Sequence, residues 1–185
     1  PRPDASRARA APGGVCAGNT RTGQTAISWP HHKSESLNMT IAERKLGAEA
    51  VVRAVAKRVP CSIHVSALSV EDSMELARHA EKIGADAIIA ITPYFWNPST
   101  EAIYDHFVRV GTAVDQPLIA YNSPSYLSGV EFTGELVTRL LERLPNLVAM
   151  KEASFNSEKF LEIARAALAI RPDFALVTGV EYLVP

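Results

Sequence analysis

The feature that most constrains this chain is a regular alternation of short, β-rich apolar runs with longer segments of helical periodicity. The apolar runs span residues 61–67, 85–92, 117–121, 146–151 and 174–179, and the helical segments between them lie near residues 70–83, 99–114, 133–144 and 157–170. The runs begin roughly every 24 to 30 residues, which is the length of one β-loop-α unit in a parallel sheet. The alternation therefore predicts an α/β protein built from successive βα units.

Two architectures fit this alternation. Runs that are apolar throughout predict strands covered on both faces of a sheet. Such a sheet is either open and doubly wound or part of an eight-stranded (β/α) barrel. No G-x-G-x-x-G motif follows a predicted strand, which argues against a dinucleotide-binding domain. A further helix is predicted ahead of the first run, because Thr40 and Glu43 form a capping-box pattern.

Residues 1–37 differ from the rest of the chain. They are rich in Pro, Gly, Arg, Ser and Thr and show no sustained periodicity, so this segment is predicted to be irregular or disordered. Residues 38–185 are predicted to form one α/β domain. The pair His31-His32 suggests a metal site, but no ligand partner lies at a suitable spacing, and an exposed polar loop is the favoured interpretation.

Composition excludes several classes of function. A formal net charge of -1 gives no electrostatic argument for binding nucleic acid or an anionic membrane surface. Two cysteines are too few for a disulfide framework or a cysteine-rich zinc site and are expected to be reduced thiols. No apolar run approaches the roughly 20 residues of a membrane span, and no signal-peptide pattern is present. A cytoplasmic protein is therefore expected.

Two polar side chains end successive apolar runs. Tyr121 closes the run at 117–121 and Lys151 closes the run at 146–151. Functional groups in parallel α/β proteins collect at the carboxyl ends of the strands, so the amine and the phenol are expected to share one pocket. A neutral lysine amine can attack a ketone to form a Schiff base, and a neighbouring tyrosine can shuttle protons. The alternative is that Lys151 only marks where its strand reaches water.

Four segments carry a resemblance to a known family: "GADAIIAITPYFWNPSTEAIYDHF", "PLIAYNSPS", "LPNLVAMKEAS" and "FALVTG". They resemble successive segments of the dihydrodipicolinate synthase / N-acetylneuraminate lyase family, whose members are pyruvate-dependent class I aldolases and related lyases on (β/α)8 barrels. The resemblance runs from about Thr40 to Pro185. It implies an incomplete (β/α)8 TIM barrel with about five to six βα units.

The resemblance also implies a site. Lys151 takes the place of the Schiff-base lysine, and Tyr121 that of the tyrosine that relays protons and contacts the bound keto acid. Gly179 matches a backbone position that lines the pocket after the next strand. No metal or organic cofactor is implied, because the lysine imine itself serves as the electron sink. Family members are usually dimers of dimers, so a homo-oligomer is expected of the full-length protein.

Three departures from the family pattern bear on the substrate. Tyr126 stands where the dihydrodipicolinate synthases have an arginine that pairs with a substrate carboxylate, and Phe95 lacks the hydroxyl of the second tyrosine in "TPYY". The family's carboxylate-binding "GTTGE" loop is only partly matched here, by "AGNTRTGQTAIS". Within that segment, Thr20 or Thr22 is the candidate for the carboxylate-binding threonine.

These features favour a Schiff-base-forming lyase, an aldolase or dehydratase that acts on pyruvate or on another 2-keto acid such as a 2-keto-3-deoxy sugar acid. Two alternatives stay open. One is a 4-hydroxy-tetrahydrodipicolinate synthase, and the other is a non-catalytic truncated barrel that binds a keto acid or a partner chain.

The predicted barrel is incomplete. The family's first strand is not recognisable, and the chain ends at "VEYLVP", before an eighth strand. A (β/α)8 barrel takes about 250 residues. We therefore expect a fragment, or a damaged reading frame, of a full-length enzyme. The 185-residue chain is expected to be unstable or inactive, because open barrel edges expose apolar faces and unpaired backbone groups.

Overall fold

The fold is a sheet of six parallel strands in which neighbours in the sheet are also neighbours along the chain. The computed structural model describes residues 26–31, 34–94, 97–124, 129–130 and 132–179. The strands are β1 (Ile27–Trp29), β2 (Cys61–His64), β3 (Ala87–Ile91), β4 (Leu118–Asn122), β5 (Leu147–Glu152) and β6 (Ala175–Thr178). The helices that alternate with them are α1 (Ile41–Val55), α2 (Val70–Lys82), α3 (Thr100–Gly111), α4 (Gly134–Arg143) and α5 (Ser157–Ile170).

This architecture confirms the predicted incomplete (β/α) barrel. The sheet curls into a half-barrel with the helices on its outer side. The larger hydrophobic core lies between the outer face of the sheet and the helices, and a smaller cluster occupies the concave face. The concave cluster contains Ile89, Ile91, Tyr94, Tyr121 and Ala153.

Strand β1 lies within the segment that was predicted to be irregular. It pairs in parallel with β2, with Ile27 opposite Cys61 and Trp29 opposite Ile63. A strand of three residues, Ile-Ser-Trp, is too short to show periodicity, so only its pairing with β2 defines it. The sheet thus begins before residue 38, and the prediction of irregular structure was wrong for β1. Residues 1–25 lie outside the described part of the chain.

A glycine in α1 explains how β1 is held against the helical layer. A Cβ atom built on Gly47 would lie 2.2 Å from the indole ring of Trp29. No larger residue fits there without displacing the ring. Glycine in a helix interior costs about 1 kcal/mol relative to alanine, and here it allows close packing of α1 on β1.

The helices begin at sequence-encoded caps. Thr40, Ser69, Ser99, Thr133 and Asn156 each accept a hydrogen bond from the backbone N–H three residues further on. At the first of these, the Glu43 carboxylate also accepts from the Thr40 backbone at 2.9 Å, which confirms the predicted capping box. No helix in the described ranges is both long enough and apolar enough to cross a membrane.

Some apolar side chains of β6 and α5 are exposed. Val177 is 49% exposed, and Leu168 and Ile170 of α5 are 46% and 44% exposed.

One buried histidine links a helix to the sheet. His106 of α3 is 7% exposed, and its ring packs edge-on against Phe107 at a centroid distance of 5.4 Å. Burial lowers the pKa of His106 from 6.5 to about 4, although a hydrogen bond to the backbone of Ile91 partly opposes that effect. Its buried Nε2 has no hydrogen-bond partner among the described residues, so a second proton on the ring would be poorly accommodated.

This environment predicts a pH-dependent stability. The unfolded chain protonates His106 near pH 6.5, whereas the folded protein does so only near pH 4. The free energy of unfolding should therefore decrease as the pH falls from about 6.5 to about 4, by on the order of 3 kcal/mol from this residue. Chemical denaturation across this range should give a shallower pH dependence for His106→Gln than for the wild type. The partly exposed His79 provides the control, since His79→Gln should keep the steep dependence. An equal slope in His106→Gln and the wild type would contradict this prediction.

Candidate active site

The lysine and the tyrosine at the strand ends lie side by side on the concave face. Tyr121 of β4 is directly opposite Lys151 of β5 in the strand register. The Lys151 Nζ atom lies 4.3 Å from the centroid of the Tyr121 ring. Tyr121 is buried, whereas Lys151 is partly exposed. The two side chains are therefore neighbours at the carboxyl ends of adjacent strands, and their shared role in one pocket stays a prediction.

An irregularity between the two strands produces this alignment. Leu118 pairs with Leu147, but the next residue of β4, Ile119, pairs with Ala149. Val148 is thus an extra residue in β5, and its side chain is 39% exposed. Such an extra residue shifts every later side chain of its strand by one position relative to the partner strand. If Val148 instead paired with Ile119, Tyr121 would face Met150, and Lys151 would point to the opposite side of the sheet.

A second phenol lies beside Tyr121 on the concave face. Tyr94 follows β3, is 4% exposed and belongs to the same apolar cluster. Burial raises the pKa of Tyr94 to about 12, against the opposing influence of the nearby Arg44 guanidinium and of Ser36. Tyr94 therefore stays protonated at neutral pH and contributes a neutral hydroxyl to this region.

Arg44 is a buried cation at the same end of the barrel. Its guanidinium donates hydrogen bonds to the carbonyl oxygens of Ser66 at 2.6 Å and His64 at 2.5 Å, which ties α1 to the end of β2. Burial lowers the pKa of Arg44 to about 10, and the proximity of Tyr94 partly offsets this. Arg44 was not predicted as a site residue. Its helical spacing from the buried Ala48, Val51 and Val55 was the available signal, since it falls on their face of α1.

His31 is partly buried and lies in the site, which corrects the exposed-loop interpretation favoured from the sequence for this residue, while His32 lies outside the described residues. Its ring stacks on His64 at a centroid distance of 5.3 Å and meets the Tyr121 ring edge-on at 5.7 Å. Its Nε2 atom is 2.7 Å from Ser28 Oγ. The reason is topological: β1 ends at Trp29, so residue 31 comes directly after a strand, at the end of the sheet that carries Tyr121 and Lys151.

Lys151 and His31 line a cavity of about 240 Å³ on the concave face. Aliphatic side chains of three strands, Ile89, Ile119 and Val177, form much of its wall. His31 and Lys151 are the basic groups that line it. A small polar ligand in this cavity would therefore meet an amine and an imidazole against an apolar wall.

Gly179 follows β6 and lies against the lysine. Its backbone N–H donates to the carbonyl oxygen of Glu152 at 2.6 Å. A Cβ atom at this position would come within 3.2 Å of Lys151 Cε and 2.7 Å of Ala153 Cβ. The absence of a side chain thus leaves room for the lysine stem.

Three of the four predicted site residues, Lys151, Tyr121 and Gly179, come together in this region. Thr20 and the alternative Thr22 lie outside the described residues, as do Phe95 and Tyr126. The segment that follows β1, and so reaches the carboxyl end of the sheet, contains His31. Thr20 precedes β1 in the chain. Across the described ranges, no group of three or more His, Cys, Asp and Glu side chains could hold a metal ion.

Comparison with curated proteins identifies relatives that match most of this chain. Among curated proteins, a 4-hydroxy-tetrahydrodipicolinate synthase of Bartonella bacilliformis is 37% identical over 128 residues, which cover 69% of this chain and 43% of that protein. A probable 2-dehydro-3-deoxy-D-pentonate aldolase of Escherichia coli is 34% identical over 145 residues, covering 78% of this chain and 48% of that protein. The chain thus spans about half the length of the curated relatives that it matches.

A solved structure agrees with these sequence matches. YagE, a prophage protein of Escherichia coli from the dihydrodipicolinic acid synthase family, was crystallised in complex with pyruvate. It superposes with a TM-score of 0.85 and 26% identity, covering 91% of this chain and 57% of YagE. The model of the dihydrodipicolinate synthetase family matches residues 23–185, a longer match than the resemblance from about residue 40 suggested. The chain belongs to the dihydrodipicolinate synthetase family.

Proposed function

We propose that this chain carries the reactive site of a Schiff-base-forming lyase that acts on pyruvate or another 2-keto acid. The observation that carries the proposal is the position of the Lys151 amine, 4.3 Å from the centre of the Tyr121 ring at the carboxyl ends of adjacent strands. Family membership supports it, as does the pyruvate bound to the structural relative YagE.

The chemistry follows from these two groups. The neutral Lys151 amine attacks the C2 carbonyl carbon of the keto acid, and the resulting carbinolamine loses water to form an imine. The protonated imine at C2 accepts the electron pair that develops on C3. The C–C bond between C3 and C4, or a C–O bond at C4, can therefore be made or broken. Tyr121 supplies and accepts the protons that these steps require. No metal or organic cofactor is needed in this proposal.

Binding of the keto acid requires a partner for its carboxylate. Thr20 is the candidate from the sequence, and Gly179 is proposed to line the pocket beside the lysine. His31 is an additional candidate, because it lines the same cavity as Lys151 and contacts the Tyr121 ring. Its imidazole can donate a hydrogen bond to a carboxylate oxygen.

The proposed substrate class is a 2-keto-3-deoxy sugar acid. Tyr126 replaces the arginine expected of a dihydrodipicolinate synthase, and a phenol cannot provide a bidentate charged contact to a second carboxylate. The pentonate aldolase relative from Escherichia coli favours the same class. The synthase reaction is the alternative, since another relative is a 4-hydroxy-tetrahydrodipicolinate synthase. For the whole protein we propose a cytoplasmic homo-oligomer, a dimer of dimers, without nucleic-acid or membrane partners.

Borohydride reduction in the presence of pyruvate tests the imine. We expect an irreversible mass increase of one reduced pyruvate, located at Lys151 by peptide mass spectrometry, and no adduct in Lys151→Ala. The matched control is Lys159→Ala on α5, where the native lysine pairs with Glu162 at 2.7 Å. That variant should be labelled like the wild type.

An adduct that persists in Lys151→Ala, or none in the wild type, would contradict the proposal. A screen of 2-keto-3-deoxy sugar acids then separates a lyase from a non-catalytic keto-acid binder. Pyruvate binding without turnover of any such substrate would favour the binder.

Gly179→Ala tests whether the space beside the lysine stem is needed. The added methyl group would crowd Lys151 Cε and Ala153 Cβ, and crowding of this kind costs about 1–3 kcal/mol of stability. We expect the rate of pyruvate imine formation to fall on the order of ten-fold or more, because reacting groups tolerate little displacement.

Gly134→Ala is the matched control for this substitution. Its Cβ atom would crowd Ala166 at 3.1 Å on the helical layer, away from the lysine. It should lose stability without losing the rate of imine formation. Equal rates in Gly179→Ala and the wild type would show that the space beside Lys151 is unimportant.

A further inference from the structure

A buried carboxylate lies next to the reactive lysine, on the opposite face of the same strand. Glu152 is 0% exposed. Its Oε2 atom accepts a hydrogen bond from Asn122 Nδ2 at 2.6 Å, and its Oε1 atom accepts one from the Ser154 backbone N–H at 2.5 Å. Both carboxylate oxygens are therefore engaged by donors from the protein.

Asn122 occupies the matching position on the neighbouring strand. It is also 0% exposed and follows Tyr121 directly. In the register of β4 and β5, the pair Tyr121–Lys151 is followed by the pair Asn122–Glu152. Successive side chains of a strand point to opposite faces. The amide–carboxylate pair thus lies behind the amine–phenol pair, away from the cavity.

The pair is sensitive to the register of the two strands. A buried carboxylate is costly unless donors satisfy it, and a hydrogen bond to a charged group is stronger than a neutral one. If β5 slipped by one residue, Asn122 would no longer face Glu152, and the carboxylate would lose a donor in a water-excluded layer. The Asn122–Glu152 hydrogen bond is therefore specific to the observed alignment, in which Val148 is the extra residue of β5.

We propose that Glu152 and Asn122 are positioning residues that fix the register of β4 and β5, and thereby hold Tyr121 beside Lys151. The proposal rests on the proposed Schiff-base function. Glu152 does not line the cavity that contains Lys151, so it acts through the strand and not on the substrate. Its bond to Ser154 also holds the start of the loop that leads into α5.

A reciprocal exchange of the two side chains tests this role. Asn122→Asp places two carboxylates in contact within a buried layer, so the register contact becomes repulsive. In the double variant Asn122→Asp, Glu152→Gln, the new glutamine donates to the new aspartate and its oxygen still accepts from the Ser154 N–H. The exchange keeps the charge and the number of hydrogen bonds.

Two quantities are measured. One is the rate of borohydride-trapped imine formation at saturating pyruvate, and the other is the pyruvate concentration that gives half of this rate. Asn122→Asp should lower the saturating rate by on the order of 10- to 100-fold, because displaced reacting groups lose rate steeply. The half-maximal concentration should change less. The double variant should recover most of the lost rate.

The control for simple destabilisation is Asn146→Asp at the other end of these strands. The Asn146 amide donates to the carbonyl oxygens of Gly111, Val114 and Gln116, so this change removes partly buried hydrogen bonds far from the lysine. It should lower the melting temperature but leave the saturating rate close to that of the wild type.

Three results would overturn the positioning role. They are an unchanged rate in folded Asn122→Asp, a double variant that folds but stays slow, and an equal rate loss in Asn146→Asp. The double variant keeps the test decisive if Asn122→Asp does not fold. A wild-type protein that forms no adduct at Lys151 would instead overturn the proposed function, and the positioning role with it.

Discussion

The alignment of β4 on β5 is the constraint on which the candidate site depends. One extra residue, Val148, shifts the second half of β5 so that Lys151 and not Met150 faces Tyr121. Because side chains alternate between the two faces of a strand, this single shift decides whether the amine enters the concave cavity or the helical layer. The close approach of the lysine to the phenol ring is a consequence of backbone register.

The rest of the fold supports this alignment from both faces of the sheet. On the outer face, the buried Asn122–Glu152 contact lies one residue beyond the reactive pair. On the concave face, Gly179 leaves space for the lysine stem. The neighbouring strands add His31 to the cavity and Tyr94 to the cluster around Tyr121. The half-barrel therefore gathers side chains from β1 and its following loop through to β6 at one end of the sheet.

The repetitive part of the fold was predictable from the sequence. Helices α1 to α5 have caps and apolar stripes, and β2 to β6 are apolar runs at regular spacing, so local patterns define them. The meeting of Tyr121 and Lys151 was predictable because adjacent parallel strands end at the same edge. Gly179 was identified only through the family resemblance.

The missed features depend on contacts between distant parts of the chain. Strand β1 has only three residues. When this strand is not recognised, the sequence around His31 indicates a polar loop. A continuous apolar run such as "LVAM" does not show which residue is extra, so the shift at Val148 leaves no local pattern. The partner of Glu152 is 30 residues away in the chain. Periodicity cannot identify a contact of that kind.

The most direct test of the central claim is a crystal structure of the protein after treatment with pyruvate and borohydride. The account predicts continuous density from Lys151 Nζ to a reduced pyruvate inside the concave cavity, with the Tyr121 ring alongside and Asn122 bonded to Glu152 behind it. Density for the adduct on another lysine, or a register in which Met150 faces Tyr121, would contradict it.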